Sequence, residues 1–174
     1  MNINGTKVCT TAGERAQRGV FLIEALIAIL IFSLGILTLV AIQTAAMSAQ
    51  NDAQFRIEGA NFADRMMSQI WLNVRRDAGT VNTAALQDFI HQPTGVAKDC
   101  DFKDASSGNA LVTAWVHSIE PYTAPAGTGL PGSTSTMQQI RVNTANFNEV
   151  SVTVCWKSPL DAGPHHHTLV SFIN

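Results

Sequence analysis

The sequence predicts an α+β chain in which one long N-terminal helix spans a membrane with its first half and packs its second half on a small antiparallel sheet. Three observations predict it. From Ala25 to Asn51 no residue carries a charge, and as far as Ile42 only Ser33, Gly35 and Thr38 interrupt the hydrophobic side chains. Beyond Asn51, Phe55, Phe62, Met66, Ile70 and Val74 recur at spacings of four and seven, the period of a helix with one apolar face. Nearer the C-terminus, short runs alternate apolar and polar residues, the period of half-buried strands.

The first 19 residues are short and polar, with Lys7, Arg15 and Arg18 against Glu14. They lack the apolar core and small-residue cleavage site of an ordinary secretory signal. The hydrophobic segment instead follows the Arg18-Gly19-Val20 junction. The cationic excess favours a cytoplasmic N-terminus with the remainder exported.

From Val20 a continuous helix is expected to about Arg75 or Arg76, because no proline occurs between Met1 and Gln92. At 1.5 Å per residue such a helix is about 84 Å long, well beyond the roughly 30 Å of a bilayer core. Two segments follow, an apolar half over 20–51 and an amphipathic half over 52–76 that belongs to an exported head, 52–174. In the second half Ala63 and Met67 join the apolar stripe, while Asp52, Arg56, Asp64, Arg65, Arg75 and Asp77 take other positions.

Asp77-Ala78-Gly79-Thr80 reads as the helix stop, and Thr83 to His91 as a short helix carrying Leu86, Phe89 and Ile90. Gln92 to Asn109 is irregular; its acids Asp99, Asp101 and Asp104 lack the spacing of a calcium loop and read as solvated. A sheet is expected over about 110–173. Its strands are Leu111–Ile119, Met137–Asn143, Val150–Trp156 and Thr168–Ile173, with a Pro- and Gly-rich loop from Pro121 to Ser135. His165, His166 and His167 are adjacent, so in a strand they cannot all face one metal, and they read as a polar hairpin edge.

The chain of 174 residues suits one domain plus an anchor. Its 11 basic and 13 acidic side chains form no basic patch, which argues against nucleic acid as a partner. Cys100 and Cys155 in an exported head are candidates for a disulfide, worth roughly 4 kcal/mol by loop-closure entropy; two separately buried thiols are the alternative. Cys9 lies before Gly19. No nucleophile, base and orienting group occur together, and neither a phosphate-binding glycine loop nor a metal-ligand spacing is present. The chain therefore does not read as an enzyme, and no cofactor, no metal and no small-molecule substrate is expected.

One residue resists this plain reading. Glu24 lies inside the apolar run, where an unpaired charge is costly. A basic leader ending in Gly19, a hydrophobic Val20, Glu24 four residues later and then the apolar helix resemble the class III signal peptide of type IV prepilins. The text from Leu22-Ile23-Glu24-Ala25-Leu26 through Ser33-Leu34-Gly35-Ile36-Leu37 to Ile42-Gln43 is most similar to minor pilins of the PilV type. The specific match covers roughly Arg18 to Arg76.

The resemblance implies the pilin fold, cleavage after Gly19 by a membrane prepilin peptidase, and N-methylation of Val20 as the new N-terminus. It implies that Glu24, fifth in the mature chain, pairs with that terminal amine in its own or a neighbouring subunit during assembly. The mature chain would carry 8 basic and 12 acidic groups. Its implied location is the inner membrane with a periplasmic head, then the pilus fibre, including its tip. Its implied partners are other major and minor pilins, the inner-membrane assembly platform and a tip adhesin. It implies a part in priming pilus assembly, and thereby in twitching motility and adhesion. A type II secretion pseudopilin shares this layout, and an uncleaved single-span protein with an exported binding domain is a further alternative.

Overall fold

A computed structural model of the chain describes residues 14–121, 128–159 and 161–174, with only the backbone described for 14–19. Expectations for Lys7, Cys9 and the loop residues 122–127 fall outside the described residues. The chain divides into two compact units, Met1–Gln50 and Asn51–Asn174. Helix α1, Glu14–Asn73, contributes to both units. It begins before Val20 and passes unbroken through Gly19, with no proline to stop it.

Within the second unit, the predicted stripe of α1 forms its core face. Ala63, Met66, Met67, Ile70 and Val74 are buried, and Phe55 and Phe62 pack beside them. The helix ends where its last carbonyls find other donors. Asn73 Nδ2 donates to the Gln69 carbonyl at 2.8 Å, and Arg76 Nη1 to the Trp71 carbonyl at 3.2 Å. The residues read as a simple stop form a small hairpin. Strands β1, Arg76–Asp77, and β2, Thr80–Val81, are joined by Ala78 and Gly79, whose φ angles of 51° and 84° make a two-residue turn of the kind that matches strand twist. Helix α2, Thr83–Gln87, follows, its Asn82 cap accepting from the Ala85 amide.

The expected strand Leu111–Ile119 is instead helix α3, Ala110–Ile119. Asn109 caps it, accepting from the Leu111 amide at 2.9 Å. The buried residues are Val112, Trp115, Val116 and Ile119, spaced three, one and three apart, so one helical face is apolar rather than alternate positions. The β-branched and aromatic content suggested a strand, but burial follows the helical period. Trp115 ties α3 to α1, donating Nε1–H to the Phe62 carbonyl at 2.9 Å.

The sheet therefore begins at residue 138, not near 110. After a single 3₁₀ turn, Ser135–Met137, come β3, Gln138–Asn143, β4, Glu149–Trp156, and β5, His165–Phe172. They form an antiparallel sheet in the order β3-β4-β5. Val150, Val152, Val154 and Trp156 on β4, with Ile140 on β3, line the face in the main core. Gly59 on α1 approaches the Trp156 ring so closely that a Cβ there would lie 2.7 Å from a ring carbon. This contact permits only glycine without a shift of the indole.

Strand β4 was expected to bury one face. Thr153 and Cys155, on the other, are also buried, because the segment around Cys100 and Phe102 covers the sheet there. Cys100 and Cys155 form a disulfide, with Cα atoms 5.9 Å apart and 55 residues of separation. It pins the irregular 92–109 segment to the sheet. The residue before it pairs directly with β3: His91 and Ile140 exchange backbone hydrogen bonds of 3.1 and 2.9 Å.

His91 is buried without a charged partner among its described contacts. Its Nδ1 accepts the Ser107 amide at 3.1 Å, which leaves Nε2–H to donate toward the Ser135 carbonyl at 3.4 Å. Burial pushes its pKa below the ordinary 6.5, only partly offset by Ser135.

Two outcomes follow from these contacts. Reducing the disulfide, or replacing both cysteines by serine, should lower the unfolding free energy by about 2–5 kcal/mol, measured by denaturant unfolding. The His91 contribution to stability should be complete above pH 6.5 and be lost as the pH falls through the lower folded value. His91→Gln should flatten that acid limb in unfolding measured from pH 8 to pH 5.

Candidate functional site: the apolar half of the first helix

In the first unit every described side chain of the helix from Val20 to Gln50 is exposed. Phe21 is 74% exposed, Leu30 61% and Leu37 65%. Apolar residues lie on all faces, so this is not the one-sided pattern of a helix resting on a soluble core. Its 31 residues would extend about 46 Å. The helix is long and apolar enough to cross a membrane.

Three of its hydroxyls are bonded within the helix itself. Ser33 Oγ donates to the Ile29 carbonyl at 2.7 Å, and Thr44 Oγ1 to the Val40 carbonyl at 3.0 Å. Thr38 Oγ1 lies 3.1 Å from the Leu34 carbonyl and 2.8 Å from that of Gly35. Each hydroxyl proton is thus satisfied by the preceding turn, as a lipid-facing helix requires. A Cβ at Gly35 would meet nothing within 4 Å, so no neighbouring group in the chain demands glycine there.

Glu24 differs from these. It is the only charged residue from Val20 to Asn51, and it is exposed. Among the described residues no side chain donates a hydrogen bond to it or forms an ion pair with it. Val20 and Glu24 are four residues apart in the helix and therefore share a face. The main chain at Gly19 and Val20 is helical, with the Val20 nitrogen in an ordinary peptide bond.

The remaining singled-out residues are dispersed. Cys100 and Cys155 meet in the disulfide of the second unit. His165, His166 and His167 open β5 with alternating exposure, and no group of three metal-ligating side chains forms among the described residues. Asp101 makes an exposed ion pair with Lys103 at 3.3 Å, and Asp104 accepts from Thr94. The groups that sequence reasoning overlooked are His91 and the 78–79 turn. A buried histidine carries no periodic signal, whereas Ala78-Gly79 between short polar runs was a readable hairpin mark.

A charge in the middle of this helix should defeat its insertion. Leu30→Arg places a guanidinium at a cost of about 2.5–3.5 kcal/mol at a bilayer centre. Alkaline extraction of membranes should then release most of the variant while the unaltered chain stays in the pellet. The chain matches no family model, no curated protein and no solved structure.

Proposed function

We propose that the chain is the precursor of a minor pilin of a type IV pilus. It is cut after Gly19 by a prepilin peptidase, methylated on the Val20 amine, and held in the inner membrane with its head in the periplasm. It then enters the fibre with the 20–50 segment among the helices of other pilins, supplied through the assembly platform, and helps to prime assembly. Contact with a tip adhesin and a part in twitching and adhesion belong to the same reading.

The observation that carries it is the solitary Glu24. The helix satisfies its own hydroxyls but offers this carboxylate no partner among the described residues. Cleavage after Gly19 would create an ammonium one helical turn away on the same face. In an apolar bundle each charge then has its counterpart, in the same chain or in the next. An uncut anchor would carry the acid with no such return.

Mass spectrometry of the N-terminal peptide from membranes and from sheared fibres tests the reading. The chain should begin at N-methylated Val20. Glu24→Ala should still be cut, but its recovery in fibres should fall at least about tenfold, because an unpaired buried charge costs about 3–5 kcal/mol. Glu24→Asp should retain more. Protein that starts at Met1 within normal fibres would overturn the reading.

A further inference from the structure

We propose that the cavity between the second half of α1 and the end of α3 binds a short peptide with both termini free. Its carboxylate lies on Arg65, its ammonium on Glu58 and its apolar middle on the Phe62 ring.

The cavity is formed by residues of the second unit alone. Its volume is about 380 Å³, and Glu58, Asn61, Phe62, Arg65, Ser118 and Gly129 line it. Sites for small ligands occupy roughly 300–1,000 Å³. Glu58, Asn61, Phe62 and Arg65 follow the i, i+3, i+4, i+7 spacing, so α1 presents all four on one face. Bonds outside the cavity fix its walls. The Phe62 carbonyl accepts Trp115 Nε1–H at 2.9 Å, which holds this turn of α1 against α3. The Leu130 amide donates to the Ile119 carbonyl at 2.8 Å, which keeps Gly129 beside the end of α3. Ser118 Oγ spends its proton on the Trp115 carbonyl at 2.7 Å, so its lone pairs are left to accept from a guest.

Two opposite charges in this wall have no counter-charge of their own. Within helical reach of Arg65 are Asn61, Phe62, Ser68 and Gln69, and no described residue forms an ion pair with it. Within reach of Glu58 are Gln54, Phe55, Asn61 and Phe62. Gln54 Nε2 donates to Glu58 Oε1 at 3.0 Å, and no described residue bonds Oε2. Arg56, by contrast, takes Asp52 at 3.0 Å in an ordinary i,i+4 pair. Glu58 and Arg65 are two turns apart, about 10.5 Å of helix rise, with Phe62 between them along the face. The Arg65 guanidinium lies 5.4 Å from the centroid of the Phe62 ring. Stacking on the ring fixes the plane of the cation and leaves its in-plane N–H groups free for a carboxylate.

A guest that satisfies this wall carries an acid for Arg65, a cationic donor for Glu58 and apolar matter between them. In a single amino acid the two charges sit on neighbouring carbons, too close to reach both side chains. An extended peptide of about two or three residues spans roughly 7–10 Å, close to the rise between the two residues that would hold its ends. Its internal amides match the Asn61 amide and the Ser118 oxygen. An inorganic anion would meet Arg65 and leave Glu58 unanswered. All of these residues lie between Asn51 and Asn174, so the site would form whether or not the chain is cut after Gly19.

Isothermal titration calorimetry on the full chain in nanodiscs tests the site. The probe is the tripeptide Gly-Phe-Gly, compared with its N-acetyl form, its C-terminal amide and the doubly blocked form. The free peptide should bind saturably, and blocking either end should weaken binding about tenfold, the worth of one hydrogen bond to a charged group. Glu58→Gln should erase the penalty for acetylation and keep that for amidation. Arg65→Gln should do the reverse. The penalty each variant keeps reports that its cavity is intact.

The proposal is overturned if the unaltered chain takes up no peptide, or if the doubly blocked form binds as well as the free one. It also fails if either variant keeps both penalties, or loses both penalties or all binding together, because separate side chains are then not reading the two ends.

Discussion

The constraint on which this molecule depends is that one helix must serve two surroundings with a single backbone. A helix satisfies its own peptide groups, which suits one whose first segment is long and apolar enough to cross a membrane and whose second carries a core face of the head. What changes along α1 is the side-chain pattern. Up to Ile42 it is apolar on every face, and the hydroxyls of Ser33, Thr38 and Thr44 are folded back on their own turn. From Asn51 the apolar residues narrow to a stripe that the sheet and α3 cover.

In the head, two ties hold that stripe in place. Gly59 lets α1 approach the Trp156 ring, and Trp115 donates to the α1 carbonyl at Phe62. The disulfide closes the far side of the sheet, over Phe102 and Cys155. The irregular 92–109 segment is therefore part of the structure rather than an ornament to it. His91, just before it, bridges the β3 edge at Ile140.

Glu24 connects this architecture to function. Every other polar side chain between Val20 and Thr44 is uncharged, and the hydroxyls among them are internally paired. Among the described residues this carboxylate has no partner, and the proposed cut one turn earlier would supply a cation on the same helix face. The proposal of a processed, assembling subunit rests on that chemistry.

The sequence by itself determined the parts whose signal is local and periodic. The unbroken apolar run, the stripe from Phe55 to Val74, and the alternation of Val150, Val152 and Val154 each repeat at the spacing of the element they form, so helix and strand were readable in place. Composition without period misled at Leu111–Ile119, where β-branched residues read as a strand although Val112, Trp115, Val116 and Ile119 fall on one helical face. Only the tertiary structure decided which long-range partners meet: that Cys100 reaches Cys155, that His91 occupies the β3 edge, and that β5 is left at the border of the sheet. These depend on the order in which distant segments stack, and no spacing along the chain encodes that order.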